Sequence, residues 1–271
     1  MSDMVVAGKT KREESFLDTL KSLAWVLAVV LVIRTFLFEP FNIPSGSLIP
    51  TLLVGDYVFV WKFGYGYSKY SFPFWNPPFE GRIFGRLPNR GDVAVFRLPR
   101  DPSVVYIKRI VGLPGDKIQV TNGQLYINGD KVAGTQTDDF IDDDSGSPEP
   151  IRQFVETLPN GVTHNILQAT DDGPLDNTPV FEVPPDHVFA MGDNRSNSLD
   201  SRVPSAVGYV PVENLIGPAE FRFFSIRQVG QGSETPGPTV FFTPWYAKHA
   251  WWEFWWWPFE IRYSRFFTPV R

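Results

Sequence analysis

Two hydroxyls and one amine in this 271-residue chain are placed where acyl-transfer chemistry could use them. Residues 42–53 read NIPSGSLIPTLL, with Ser45 and Ser47 on either side of Gly46 and prolines at 44 and 50. A serine hydroxyl is a poor nucleophile until a base takes its proton. Histidine offers little here, because His164, His187 and His249 are scattered without catalytic or metal-ligand spacing, and each reads as a surface residue. The chain has no cysteine, which removes thiolate nucleophiles, thiolate metal sites and disulfides. The base that remains is a lysine held neutral near pH 7. Its pKa must fall roughly three units from about 10.4, which requires roughly 4 kcal/mol of destabilisation of the ammonium by burial. Lys108 suits that role, since VVYIKRIVG at 104–112 reads as a strand. Alternation puts Lys108 on the face of Val104, Tyr106 and Ile110, with Arg109 on the other.

Taken alone, Ser-Gly-Ser between prolines is usually a turn and a lone strand lysine is usually a solvated edge residue. A third stretch adds weight. MGDNRSNSLDSRVPSAVG at 191–208 crowds Gly, Asp, Asn, Ser and Arg into one loop, which can order a site or merely fold on itself.

The elements that must position these groups begin with an apolar run, SLAWVLAVVLVIRTFLF from Ser22 to Phe38, broken only by Arg34. At about 1.5 Å per residue a helix here is near the lower limit for crossing a bilayer, and Arg34 is close enough to the exit to reach the headgroups. Lys9, Lys11, Arg12 and Lys21 precede the run, so the N-terminal segment 1–21 is expected in the cytoplasm and everything after the anchor (22–38) outside. No small-x-small cleavage pair follows, so the run reads as a retained anchor. Ser47 comes nine residues after Phe38 and stays within about 30 Å of the membrane exit.

Beyond the anchor, residues 39–227 read as a β-rich catalytic region: 56–63, 92–98, 104–112, 117–132, 181–192 and 217–226 have strand patterns. Asn-Gly at 122 and 128 marks hairpins. An acidic insert near 138–180 starts with DDFIDDDSGSPEP, which reads as a solvated loop. Tyr65 to Trp75 carries six aromatics and suits either a membrane-interface loop or an internal cluster. From 228 to 271 a linker leads into a tail with six of the nine tryptophans, interrupted by Lys248, His249 and Glu253. It is expected to be membrane-interfacial, with docking onto the domain as the alternative. An apolar share of 43% supports a packed core. The net charge of −5, without a Lys/Arg block after residue 21, excludes a nucleic-acid footprint.

The motifs PSGSLIPTLLVGDYVFVWKF, GDVAVF, YIKRIVGLPGD and MGDNRSNSLDSR, in this order behind an anchor, resemble those of bacterial type I signal peptidase over roughly Phe36 to Ser225. That resemblance implies an antiparallel β catalytic domain, no cofactor and no metal. It implies Ser47 as the acyl-forming nucleophile and Lys108 as its general base, a Ser-Lys dyad. Ser45 resembles the hydroxyl that joins the Ser47 backbone N–H in the oxyanion hole. Ser198 resembles the residue that orients the lysine amine, and Asp200 with Arg202 the supporting ion pair, while Asp193 and Asn194 read as loop scaffold. The implied substrates are secretory preproteins, cut after small residues at the first and third positions before the scissile bond. The implied location is the bacterial plasma membrane, with the catalytic domain on the outer side, membrane lipids as partners and the translocation machinery as a further one. Leu48 stands where the family commonly has methionine, a volume-conserving change.

Overall fold

The computed structural model describes residues 16–72, 77–142, 149–227 and 257–270. The apolar run forms helix α1 (Phe16–Phe36), 21 residues of which an 18-residue stretch has mean hydropathy 2.0 and no buried residue. It is long and apolar enough to cross a membrane. The expected bounds shift: α1 starts before Ser22 and stops at Phe36, because Phe38 already pairs with Trp61 as the first residue of a strand. Arg34 lies in the last turn of α1. Its guanidinium lies 3.4 Å from Glu39, which a fully buried Lys62 approaches to 2.7 Å, so the helix exit is tied to the domain by charge. Lys9, Lys11 and Arg12 lie outside the described residues.

The strands follow in chain order: β1 (Phe38–Asn42), β2 (Asp56–Trp61), β3 (Val93–Arg97), β4 (Val105–Gly112), β5 (Lys117–Thr121), β6 (Gln124–Ile127), β7 (Asp130–Lys131), β8 (Ala133–Gln136), β9 (Gln153–Thr157), β10 (Thr163–Leu167), β11 (Phe181–Glu182), β12 (His187–Met191), β13 (Val210–Pro211), β14 (Leu215–Ser225) and β15 (Thr268–Pro269). The fold is mainly β. A central antiparallel sheet runs β1-β2-β14-β3-β4-β12-β13, with β15 added to β14. Both faces of its middle strands are buried: Ala94 and Phe96 pack with Ile110, Ala190 and Leu215, while Val93 and Val95 pack with Leu48, Leu52 and Ile216. Such strands read as unbroken apolar runs, as VAVF does in β3.

Both Asn-Gly pairs form hairpin turns. Asn122 and Gly123 have φ of 48° and 72°, Asn128 and Gly129 57° and 89°, the left-handed pair that a two-residue turn demands. Past the Asp-rich stretch the insert is built of strands. β9 and β10 form a hairpin with β8 alongside, although residues 143–148 of the Asp-rich stretch lie outside the described residues. The aromatic segment packs at the helix exit: the Tyr67 hydroxyl donates to the Phe36 carbonyl at 2.7 Å, and Phe72 meets Phe36 edge-on. Phe74 and Trp75 lie outside the described residues. So do residues 228–256 of the tail, whereas its end returns to the sheet through helix α2 (Trp257–Glu260), an Ile226–Ile261 bridge and β15.

Candidate active site

Ser47 sits in a single 3-10 turn, Gly46–Leu48, where the chain leaves β1 and returns toward β2. Leu48 and Leu52 are driven into the core beneath it, which seats the turn against β4. Gly46 has an ordinary backbone conformation, and an added Cβ would only press on the flexible Ile49 side chain at 3.0 Å. The tighter constraint is Gly192, which the sequence reading quoted within a motif and did not single out. A Cβ there would meet the Ser47 carbonyl at 2.5 Å and also strike Ser198.

Lys108 lies in β4, paired with Ala94 across the ladder. Its Nζ donates to Ser47 Oγ in a short hydrogen bond, and both residues are only 2% exposed. The Tyr106 ring lies 5.6 Å from Nζ on the expected face. Ser45 Oγ is 3.4 Å from Ser47 Oγ, close enough for a hydroxyl at 45 to help line the space beside the attacking oxygen. Of the six residues singled out in the sequence, these three are therefore joined by contacts between their side chains.

The other three lie in the 191–202 loop. Asp200 is fully buried and takes both Nε (2.9 Å) and Nη2 (2.8 Å) of Arg202. Burial raises the Asp200 carboxyl, but Arg202 outweighs it, and Lys108 adds to the lowering, so the group is held below its ordinary value. The second Asp200 oxygen accepts the Gly192 N–H at 3.0 Å, which fixes the glycine beside Ser47. Ser198 Oγ is buried, with no hydrogen-bond partner among the described residues. Its place beside Gly192 puts it in the same wall as Ser47.

Arg109 has a role that the sequence pattern does not assign, and Asp193 and Asn194 brace the site with it, as expected of loop scaffold. Arg109, 1% exposed, grips Asp193 in a bidentate pair at 2.8 and 2.7 Å and donates to the Gly91 carbonyl. Burial alone would raise the Asp193 carboxyl, yet Arg109 holds it below the ordinary range. Asn194 donates its N–H to the Ser47 carbonyl at 3.1 Å and its amide to the Gly46 carbonyl at 3.3 Å. A buried strand arginine demands a carboxylate, and that demand was the available signal.

His164 corrects another expectation. It is buried rather than on the surface, with Nε2 3.3 Å from Glu156 and 3.9 Å from Asp193. It faces inward from β10, and Glu156 faces it from β9 and pairs with Arg195 at 3.0 and 2.5 Å. Burial pushes the Glu156 carboxyl up, but Arg195 and His164 overcome it and hold the group at about 2. The insert thereby props the site loop, helped by Leu167 N–H to Asp193 O at 2.8 Å. His187 bonds the Pro185 carbonyl, and His249 lies outside the described residues. Among the described residues no group of three or more His, Asp or Glu could hold a metal ion.

A buried amine bonded to a serine hydroxyl, with a second hydroxyl beside it and a braced wall opposite, is a site suited to nucleophilic acyl transfer. Comparison with known proteins gives the class. The model of the family described as "Signal peptidase, peptidase S26" matches residues 16–224. The signal peptidase I of Rickettsia typhi is 44% identical over 226 residues, 80% of this chain and 84% of that protein. That of Rickettsia conorii is 46% identical over 216 residues, 76% of this chain and 79% of the other. A crystal structure of a signal peptidase I from Enterococcus faecalis is 24% identical with a TM-score of 0.29, covering 49% of this chain and 97% of that one. The chain belongs to the signal peptidase family, peptidase S26, and is a serine peptidase.

Proposed function

We propose that Ser47 is the nucleophile and Lys108 the general base of a membrane-anchored endopeptidase that removes signal peptides from exported preproteins after small-x-small motifs. The observation that carries this reading is the buried contact between Lys108 Nζ and Ser47 Oγ. Burial disfavours the ammonium, so the amine can be present as a free base. It takes the Ser47 proton as Oγ attacks the scissile carbonyl carbon. Negative charge then develops on the carbonyl oxygen, where the Ser47 backbone N–H and the Ser45 hydroxyl are the donors to hand. The protonated Lys108 passes its proton to the leaving amine of the mature protein, and the signal peptide remains as an ester on Ser47. Water, deprotonated by the same amine, attacks that ester and releases the peptide as a carboxylate. Ser198, expected to orient the amine, makes no hydrogen bond to it and instead lines the wall beside Gly192, which Asp200 and Arg202 keep in place.

The anchor explains where this occurs. α1 ends at Phe36 and the Ser47 turn begins at Gly46, so the nucleophile is tethered close to the bilayer that holds the apolar part of its substrate. Lys9, Lys11, Arg12 and Lys21 on the N-terminal side of the apolar run support a reading with that end in the cytoplasm and the catalytic domain on the outer face of a bacterial plasma membrane. Lipids surround α1 in this arrangement, and the translocation machinery delivers the substrate. The test uses detergent-solubilised protein and a preprotein with Ala-x-Ala before its mature start, with product masses compared for the native chain, Ser47→Ala and Lys108→Ala. A single cut after the motif, lost in both folded variants and suppressed when either alanine becomes phenylalanine, is expected. A cut that survives Ser47→Ala would mean another nucleophile.

A further inference from the structure

The end of the chain, beyond the residues that the family model matches, lies against the back of the loop that carries Ser47. It is fixed there by the sheet: β15 pairs Pro269 with Phe221 and Thr268 with Arg222, Val270 N–H donates to the Glu220 carbonyl at 2.9 Å, and Arg262 N–H to the Ser225 carbonyl at 3.0 Å. From this fixed segment Arg265 reaches inward. Its Nε and Nη2 bind the two oxygens of the fully buried Asp56 at 3.0 and 2.5 Å, and Nη2 also donates to the Thr51 carbonyl at 3.1 Å. Arg222 donates to that same carbonyl at 2.8 Å, and Arg262 to the Val54 carbonyl at 3.1 Å.

Thr51 is the junction. Its hydroxyl donates to Asp193 at 2.6 Å and receives Arg109 Nη2 at 3.2 Å, which joins it to the ion pair next to Lys108 in β4. One residue on, Leu52 N–H donates to the Leu48 carbonyl at 2.9 Å, so a shift at Thr51 is passed to the residue after Ser47. Two guanidinium groups on the Thr51 carbonyl therefore set the position of the turn from behind while Asn194 sets it from in front.

We propose that the segment from Ile261 to Val270 is a positioning element of the active site, with Arg265 its positioning residue: by holding Asp56 and the Thr51 carbonyl together it keeps Ser47 Oγ in register with Lys108. The proposal rests on the assignment of those two residues as nucleophile and base. It gives the described end of the tail a role in the chemistry rather than at the membrane. Misplacing a reacting group by about 1 Å can cost about 100-fold in rate, and KM for a short peptide has no reason to follow.

The experiment compares the detergent-solubilised full chain with Arg265→Ala, Arg265→Lys, the double variant Arg265→Ala/Asp56→Asn, and Ser47→Ala, measuring kcat and KM on a short peptide together with thermal unfolding by circular dichroism. Arg265→Ala is expected to lower kcat at least tenfold with KM within about twofold. Arg265→Lys keeps the charge near Asp56 but, as a point donor, cannot serve Asp56 and Thr51 in the same geometry, so kcat stays low. The double variant removes the buried carboxylate that Arg262, at 3.8 Å, would be left to balance alone, and recovers stability without recovering kcat. Recovery of kcat in step with stability would reduce Arg265 to a structural ion pair and overturn the proposal, as would full kcat in Arg265→Ala. An inactive Ser47→Ala beside a fully active Arg265→Ala refutes the positioning role alone. Hydrolysis that persists in Ser47→Ala refutes the nucleophile assignment and the positioning role with it.

Discussion

Gly192→Ala is the smallest change that should separate catalysis from folding in this site. The new methyl carbon would stand 2.5 Å from the Ser47 carbonyl oxygen and 2.5 Å from Ser198 Cβ, whereas ordinary contact begins at 3.4 Å. The Ser47 carbonyl must therefore give by about 0.9 Å, and Ser198 Oγ, which the methyl would meet at 2.2 Å, by about 1.2 Å. Gly192 is poorly placed to yield, because its N–H is held by Asp200, which Arg202 clamps on both oxygens. The strain therefore falls on the Ser198 side chain and on the Ser47 turn, whose Asn194 N–H and amide bonds lie on this side. Overpacking of this kind costs about 1–3 kcal/mol of stability, and a displacement near 1 Å at the nucleophile costs on the order of 100-fold in kcat, or about 2.7 kcal/mol of barrier. Steady-state hydrolysis of a peptide substrate, with thermal unfolding of the same preparation, gives both numbers. A variant with native kcat and native unfolding temperature would refute the close approach of Gly192 to Ser47 on which this wall of the site depends.

Two further outcomes follow from the buried charges. Asp193→Asn leaves Arg109 buried without its counter-charge, so stability should fall by about 3–5 kcal/mol and the unfolding temperature by roughly 10 °C, measured by calorimetry. Glu156 is held at about 2 in the folded protein against an ordinary 4.5, so its charged pair with Arg195 stabilises the fold above about pH 4.5 and that contribution is lost as pH falls toward 2. Urea unfolding in that window should depend less steeply on pH in Glu156→Gln than in the native chain, and equal slopes would contradict the depressed carboxyl.

The strand that carries Lys108 and the hairpins beyond it were legible because apolar runs and Asn-Gly turns report local structure directly. Lys108 announced itself by standing in an apolar row where a solvated lysine has no place. What escaped were features set by partners distant in sequence. Arg109 was placed on the face opposite Lys108 without a partner, but the central sheet is covered on both sides and the arginine needed Asp193 to be buried at all. His164 and the β9–β10 hairpin were hidden among acidic and turn-forming residues, and their inward positions show only once Glu156 is paired with Arg195. The first residue of β1, Phe38, was absorbed into the anchor because it prolongs the apolar run, and the other four, EPFN from Glu39 on, carry no strand alternation. The role of Gly192 depends on its distance from Ser47 across 145 residues of sequence, which no local pattern encodes.

The most direct test of the Ser47–Lys108 pairing is a kinetic double-mutant cycle on peptide hydrolysis with Ser47→Ala, Lys108→Ala and the combined variant, each checked for native circular dichroism. A nucleophile and its base act as one unit, so each single change should abolish nearly all catalysis and the combined change should cost no more than either alone. Losses that multiply in the double variant, or a Lys108→Ala protein that keeps most of its kcat, would contradict the dyad.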